Sequence, residues 1–92
     1  RSESDIRRIK GRIIGMNGKT RRIIEELTDT YVTLYGHTVS IIGNVEQVQA
    51  AKEAIQMLIS GSLHSTVYRF LHRKRRELKT KMLELWEKPS EE

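Results

Sequence analysis

The run Gly15-Met16-Asn17-Gly18-Lys19 holds residue types that could bind a phosphate. Two glycines three apart allow positive φ at a chain reversal and let a polyanion backbone approach the main chain closely. A helix that opens at the second glycine aims free N–H groups and the positive end of its dipole at phosphate oxygens. Lys19 adds a full charge at that point. Asn17 tolerates the left-handed backbone that a non-glycine in such a turn can require. The tetrad by itself is unspecific, since any helix–turn–helix with a glycine C-cap carries it. Its surroundings are less common. Arg7, Arg8, Lys10, Arg12, Lys19, Arg21 and Arg22 give residues 6–24 a charge of +7 with no acid. Arg8 and Arg12 share a helix face at a spacing of four, as do Lys19 and Arg22 at three. All are candidate phosphate contacts, against the plainer reading of a solvated face.

A second basic stretch, residues 69–81, sets seven bases against Glu77 for +6, and the residues between, 25–68, sum to −4. Clustered cations are the footprint of a polyanion binder. Catalysis finds no support. The chain has no cysteine, which excludes a thiolate nucleophile, a disulfide scaffold and Cys-based metal sites. His37, His64 and His72 show neither metal-ligand spacing nor an acid–base partner. The expectation is a binding module that is no enzyme and uses no cofactor or metal. No apolar run approaches the roughly 20 residues of a membrane helix, and no secretory pattern opens the chain; a soluble, cytoplasmic protein with no membrane contact is expected.

The elements that must position these residues follow from periodicity. Ile6, Ile9 and Ile13 recur at helical spacing from Ser4 or Asp5 onward, although Gly11 weakens that helix by about 1 kcal/mol relative to alanine. After the glycine turn, Ile23, Ile24 and Leu27 mark a second helix to Thr28. Tyr31–Tyr35 and Thr38–Ile42 alternate with period two around a Gly36-His37 turn. That register puts Val32, Leu34, Val39 and Ile41 on the face toward the helices. Asn44 with Gln47 suggests a capping box for a third helix with the stripe Val48, Ala51, Ile55, Leu58 and Ile59, stopped by Gly61. A last helix is predicted from Ser65 or Thr66 to about Lys88, with Val67, Leu71, Leu78, Met82 and Leu85 near one face. A two-stranded hairpin is marginal alone, so a third strand is wanted and none precedes Ser4. The fold class is α+β, helices on a small antiparallel sheet with a long basic C-terminal helix. Residues 4–61 form the domain, 62–88 the helical extension and 89–92 a frayed tail.

The order helix, Ile-Gly-x-x-Gly, helix, strand, strand, helix resembles a type I KH domain lacking its first strand. The segments Arg8–Gly15, Gly18–Thr28 and Tyr35–Gly43, with Gly61–Tyr68 and the basic stretch Arg69–Lys81, are similar to the second KH domain of the archaeal partner-of-Nob-one family of small-ribosomal-subunit assembly proteins. The resemblance implies a truncated two-domain protein that binds single-stranded RNA, namely small-subunit ribosomal RNA near its 3′ end, alongside the endonuclease that trims that end. It implies phosphate contacts from Gly15, Met16, Asn17, Gly18 and Lys19, neutralisation by Arg8, Arg12, Arg21 and Arg22, and a base groove backed by Ile14, Val32 and Leu34. Met16 stands where many KH loops carry a cation. Arg21 stands where an aliphatic residue usually walls the groove, which implies a more polar groove or a guanidinium stacked on a base.

Some assignments stay open at this level. Either Ile13 or Ile14 faces the groove and the other the core. Tyr31 and Tyr35 are base platforms or surface packing, and Trp86 a packing or partner face. The basic helix, with Arg73, Lys74, Arg75 and Arg76, extends the RNA footprint, docks on an acidic protein partner or is a solvated tail. The competing class is therefore a protein-docking KH module.

Overall fold

The computed structural model describes residues 2–87. Helix α1 spans Glu3–Ile14, a single 3-10 turn Met16–Gly18 follows, and α2 spans Lys19–Thr28. Strands β1 (Tyr31–Tyr35) and β2 (Thr38–Ile42) lead to α3 (Val45–Ile59) and α4 (His64–Glu87). Helix α1 starts at Glu3 because the Ser2 hydroxyl accepts from the Asp5 N–H at 3.2 Å, satisfying one of the orphan amides of the first turn. Glu3 and Asp5 then sit at the positive end of the helix and Arg12 in its last turn, which suits the dipole.

The strands pair antiparallel with Val32 opposite Ile41 and Leu34 opposite Val39, and these four turn inward as expected. Tyr31, Thr33, Tyr35, Thr38, Ser40 and Ile42 are exposed on the other face. Among the described residues the sheet has these two strands only. The core is formed by Ile13, Ile24, Val32, Leu58, Val67 and Leu71, each at most 1% exposed, with the alanines of α3 beside them. The stripe of α3 differs from its predicted composition. Ala50, Ala51, Ala54, Ile55 and Leu58 are buried, whereas Val48 is half-buried and Ile59 is exposed. Small residues at Ala50, Ala51 and Ala54 let helix backbones come close, since interaxial distance is set by the side chains at the contact. Asn44 does occupy the N-cap position, but its exposed side chain caps no amide, so no capping box forms with Gln47. Gly61 ends α3 in a Schellman arrangement: its amide donates to Leu58 O at 3.2 Å and the Ser62 amide to Met57 O at 2.9 Å.

Helix α4 begins at His64, one residue ahead of the predicted start, and runs to Glu87; Lys88 and the predicted tail lie outside the described residues. Only its first half reaches the core. Val67 and Leu71 are fully buried, while Met82, Leu85 and Trp86 are exposed, so the expected continuous apolar face is not used along its whole length. Burying one such aliphatic side chain contributes about 1.5–3 kcal/mol, which fastens the proximal half firmly. At 24 residues and about 1.5 Å per residue, α4 gives the molecule its elongated extents of 61 × 23 × 22 Å.

Candidate nucleic-acid interface

The turn between α1 and α2 depends on three residues with positive φ: Gly15 (φ 76°, ψ 175°), Asn17 (φ 57°, ψ 30°) and Gly18 (φ 74°, ψ 12°). The two glycines are required for different reasons. Gly15 lies in a backbone region essentially reserved for glycine, and a Cβ there would overlap the Thr20 hydroxyl and lie 2.8 Å from the Thr20 nitrogen. Gly18 and Asn17 are left-handed, and a Cβ on Gly18 would meet nothing within 4 Å. The main chain is thus open to approach at Gly18. The turn is closed by Gly15 N–H to Gly11 O at 2.8 Å and Gly18 N–H to Gly15 O at 3.2 Å. No side chain caps the start of α2. Its dipole is uncompensated there, beside Lys19, and Met16 at the tip is 83% exposed.

The cations around this turn divide into two groups. Arg7, Lys10, Lys19 and Arg21 have no hydrogen-bond or ion-pair partner among the described residues, and all but the half-buried Lys10 are exposed. Arg8 makes one exposed contact, 3.4 Å to Asp5, of a kind worth little in water. Arg22 instead reaches back to donate to Asn17 O at 3.0 Å and ties the tip to α2. Arg12 is turned inward. Its guanidinium donates to the Ser62 carbonyl, and its Nε is buried. The predicted phosphate contact at Arg12 is corrected on that ground: the last turn of α1 lies against the α3–α4 connection, and the side chain is spent there.

Burial assigns the two isoleucines. Ile13 is 1% exposed in the core, while half-buried Ile14 lines a cavity of about 440 Å³ with Ile6, Arg7, Lys10, Gly11 and His37. Gly11 faces open space, with nothing within 4 Å of a Cβ built on it, so its cost to the helix is matched by room in this cleft. The hairpin turn forms the far wall, and His37 contacts Glu3 at 3.4 Å. Val32 does not join Ile14 on the surface. Strand alternation drives Val32 under the helices at 1% exposure, and Leu34 lines an adjoining apolar cleft with Ile9 and Ile13, which shares Ile6, Lys10 and His37 with that of Ile14. The backing expected from Val32 is therefore corrected to a core role. Its amide donates to the Glu25 carboxylate at 2.8 Å.

The second basic cluster is largely occupied by the protein itself. Arg75 donates to Glu26 O at 3.0 Å and Leu27 O at 3.3 Å and lies 3.7 Å from Asp29, so it caps the C-terminus of α2. One nitrogen of Arg75 is thus engaged within the protein, while the side chain stays half exposed. Arg73 and Lys74 flank Glu77 at 4.0 and 3.5 Å and lie 5.6 and 5.9 Å from the Phe70 ring. Lys81 reaches Glu46 on α3 at 2.6 Å, which raises its pKa through the hydrogen bond first and the carboxylate charge second. Arg76 has no partner among the described residues. Sequence reasoning missed the contact between Thr20 Oγ1 and Tyr68 OH at 3.0 Å, which joins the first turn of α2 to α4. It also missed the Gly11 face, for which a glycine inside a helix was the available signal. Among the described residues no group of acids or histidines could hold a metal, and no helix is long and apolar enough to cross a membrane.

A KH domain-containing protein of Methanocaldococcus jannaschii is 51% identical over 90 residues, covering 98% of this chain and 40% of that protein. The pre-rRNA-processing protein PNO1 of Chaetomium thermophilum is 38% identical over 76 residues, covering 83% of this chain and 28% of its own length. Among solved structures, the a/eIF2alpha–aDim2p–rRNA complex of Pyrococcus horikoshii contains a chain that superimposes with a TM-score of 0.77 at 50% identity, covering 78% of this chain and 41% of that one. The chain thus spans less than half the length of these relatives. The profile for the second KH domain of PNO1, described as a eukaryotic-type (type I) KH domain, matches residues 1–76. With the glycine turn, the two helices and the hairpin in the order described, this chain belongs to the family of PNO1 second KH domains.

Proposed function

We propose that the domain binds single-stranded RNA without catalysis, holding phosphates at the turn Gly15–Gly18 and Lys19. The observation that carries this reading is the open main chain at Gly18 leading into a helix start that no side chain caps. Lys19 and Arg21, exposed and without partners among the described residues, stand beside it, and Arg7 and Lys10 rim the cleft that Gly11 and Ile14 floor. That cleft has the apolar floor and cationic edge suited to unstacked bases on a phosphate chain. Arg8 and Arg22 add charge at the same face. The ligand in this reading is small-subunit ribosomal RNA near its 3′ end, bound in the cytoplasm during ribosome assembly, with the 3′-end endonuclease as a neighbouring partner. Support comes from the PNO1 relative's being a pre-rRNA-processing protein and from the rRNA in the Pyrococcus complex. In this reading residues 4–61 are the binding domain and 62–88 its extension.

The test is a binding comparison of the ribosomal RNA 3′ end with scrambled RNA and with DNA of equal length. Tighter binding of the ribosomal segment is expected, with log affinity falling linearly against log salt. Equal binding to all three would remove the assignment of the RNA, and no binding would remove the function. A second reading, docking of α4 on an acidic protein partner, is favoured by one observation. Met82, Leu85 and Trp86 are 54%, 72% and 80% exposed on the distal part of that basic helix.

A further inference from the structure

Helix α2, whose start is the phosphate-facing end in the reading above, is gripped by α4 at both ends. At its first turn, Thr20 Oγ1 and Tyr68 OH meet at 3.0 Å. Thr20 is 3% exposed and Tyr68 half-buried, so water reaches the pair only from the Tyr68 side. At the other end, Arg75 donates to the carbonyls of Glu26 and Leu27. A second tie holds the helix that enters the turn. The Arg12 guanidinium donates to Ser62 O, and His64 Nε2 lies 3.1 Å from Arg12 O. Ser62, His64 and Tyr68 all belong to the segment that opens α4, and the His64 and Tyr68 rings meet edge to face at 6.2 Å. Between the two ties stands Gly15, whose Cα faces the Thr20 hydroxyl so closely that a Cβ has no room.

We infer that Tyr68 and Arg12 are positioning residues for the Gly15–Gly18 turn, so that the C-terminal helix is part of the RNA-binding apparatus without touching RNA. This inference rests on the proposed RNA-binding role of that turn. Besides its two backbone bonds and the Arg22 bond to Asn17 O, no contact from outside α1 and α2 other than these ties is seen to hold the turn among the described residues. Three of its residues sit at positive φ, its tip is exposed, and the start of α2 lacks a side-chain cap. Without the Tyr68 hydroxyl, Thr20 loses its partner in a buried spot, and an unpaired buried hydroxyl is costly. The first turn of α2 then frays, and the amides that face a phosphate lose their fixed direction. Preorganisation of donors is what makes a backbone anion site bind, so affinity falls although no RNA contact is removed.

The experiment compares the purified protein with Tyr68→Phe, Thr20→Val and the double variant, using the ribosomal RNA 3′ end as probe. Each single change is expected to weaken binding about five-fold, the scale of one hydrogen bond, and the double variant no further. That non-additivity is the signature of a pair that acts as one unit. Amide exchange without RNA is expected to speed up at residues 18–21 in all three, while exchange in the core of α3 stays unchanged. Arg12→Gln is expected to lower affinity while leaving the salt slope intact. An unchanged affinity for Tyr68→Phe overturns the inference, as does an additive double variant, which means that Tyr68 and Thr20 act independently. A salt slope reduced by about 0.7 in Arg12→Gln overturns the role of Arg12, because that is the loss of one phosphate contact. If the unaltered protein binds no RNA, the functional reading fails, and the exchange comparison still decides whether Tyr68 holds the turn.

Discussion

Two basic clusters of nearly equal charge are put to different uses by this fold. Around the glycine turn, Arg7, Lys10, Lys19 and Arg21 have no partner within the described protein. On α4, Arg75 caps α2, Lys81 binds Glu46, and Arg73 and Lys74 share Glu77. The difference teaches that net charge along a sequence measures supply and not availability. A cation tied to carbonyls or carboxylates of its own chain has fewer donors and less freedom to offer a phosphate. What separates the clusters is their neighbours. The first lies on α1 and α2 at a turn, where no acids stand opposite beyond Asp5 and Glu3. The second lies along a helix that crosses the carbonyl end of α2 and the acidic start of α3.

The largest effect expected from this contrast is on RNA affinity. Met16→Asp with Asn17→Asp puts two carboxylates at the exposed tip without entering the crowded space behind Gly15, and Asp tolerates the left-handed backbone at position 17. Like charges against phosphate cost several kcal/mol, so binding is expected to fall by roughly 100-fold or more with the melting temperature nearly unchanged. Arg73→Gln, Lys74→Gln and Arg76→Gln together are expected to cost far less, despite removing three charges. If filter binding shows equal losses, the clusters form one footprint and the contrast is broken.

Stability should split the two glycines as sharply. Gly15→Ala places a side chain in a glycine-only conformation and against Thr20, and is expected to lower unfolding free energy by about 1–3 kcal/mol. Gly18→Ala meets no neighbour and strains only a left-handed residue, for about 1 kcal/mol; Gly18→Asn is expected to cost less. Chemical denaturation reads both. Equal losses would mean that the turn tolerates Gly15 movement and that Thr20 does not wall it in.

These two glycines also show how far the sequence was readable. Local chemistry was legible: positive φ at Gly15 and Gly18, the left-handed Asn17, the inward register of Val32, Leu34, Val39 and Ile41, and the end of α3 at Gly61 all follow from residue type and spacing. The roles of Arg12 and Arg75 were not, because each depends on a residue far along the chain. Arg12 looks like a solvent-facing partner of Arg8 until Ser62 is brought to it. Arg75 looks like one of four equivalent cations until the C-terminus of α2 is placed beneath it. Ile13 and Ile14 could be separated only by the packing of α3 and α4. Periodicity reports one helix and its faces; it cannot report which face a distant helix covers.

Single-charge changes sharpen the comparison further. Lys19→Gln is expected to weaken RNA binding several-fold and to flatten the log–log salt slope by about 0.7, the contribution of one phosphate contact to a single strand. Arg75→Met keeps the aliphatic stem and removes the donors. It is expected to leave the salt slope alone and to cost at most about 1 kcal/mol of stability, discounted because the side chain is half exposed. Exchange of these two outcomes, with Lys19 acting on stability and Arg75 on the slope, would reverse the division of roles.

The smallest expected effect tests whether the distal part of α4 is held at all. Lys81 is exposed and bonded to Glu46, and its pKa is raised above the ordinary 10.5 by that partner. A group whose folded pKa is raised contributes its stability fully below the unfolded value and loses it as pH climbs through the folded one. At neutral pH the pair is therefore intact, and because both ends lie in water its worth is small and screened by salt. Lys81→Met is expected to leave the neutral-pH melting temperature within error of the unaltered protein. Any difference between the two should be flat from roughly pH 7 to 9 and vanish only above the lysine range. A clear loss of stability at neutral pH would mean that Lys81 anchors the far half of α4 to α3, and the second cluster would then be structural along its whole length. No loss leaves Arg75 as the last firm attachment of that helix, with Met82, Leu85 and Trp86 carried beyond it on a basic arm.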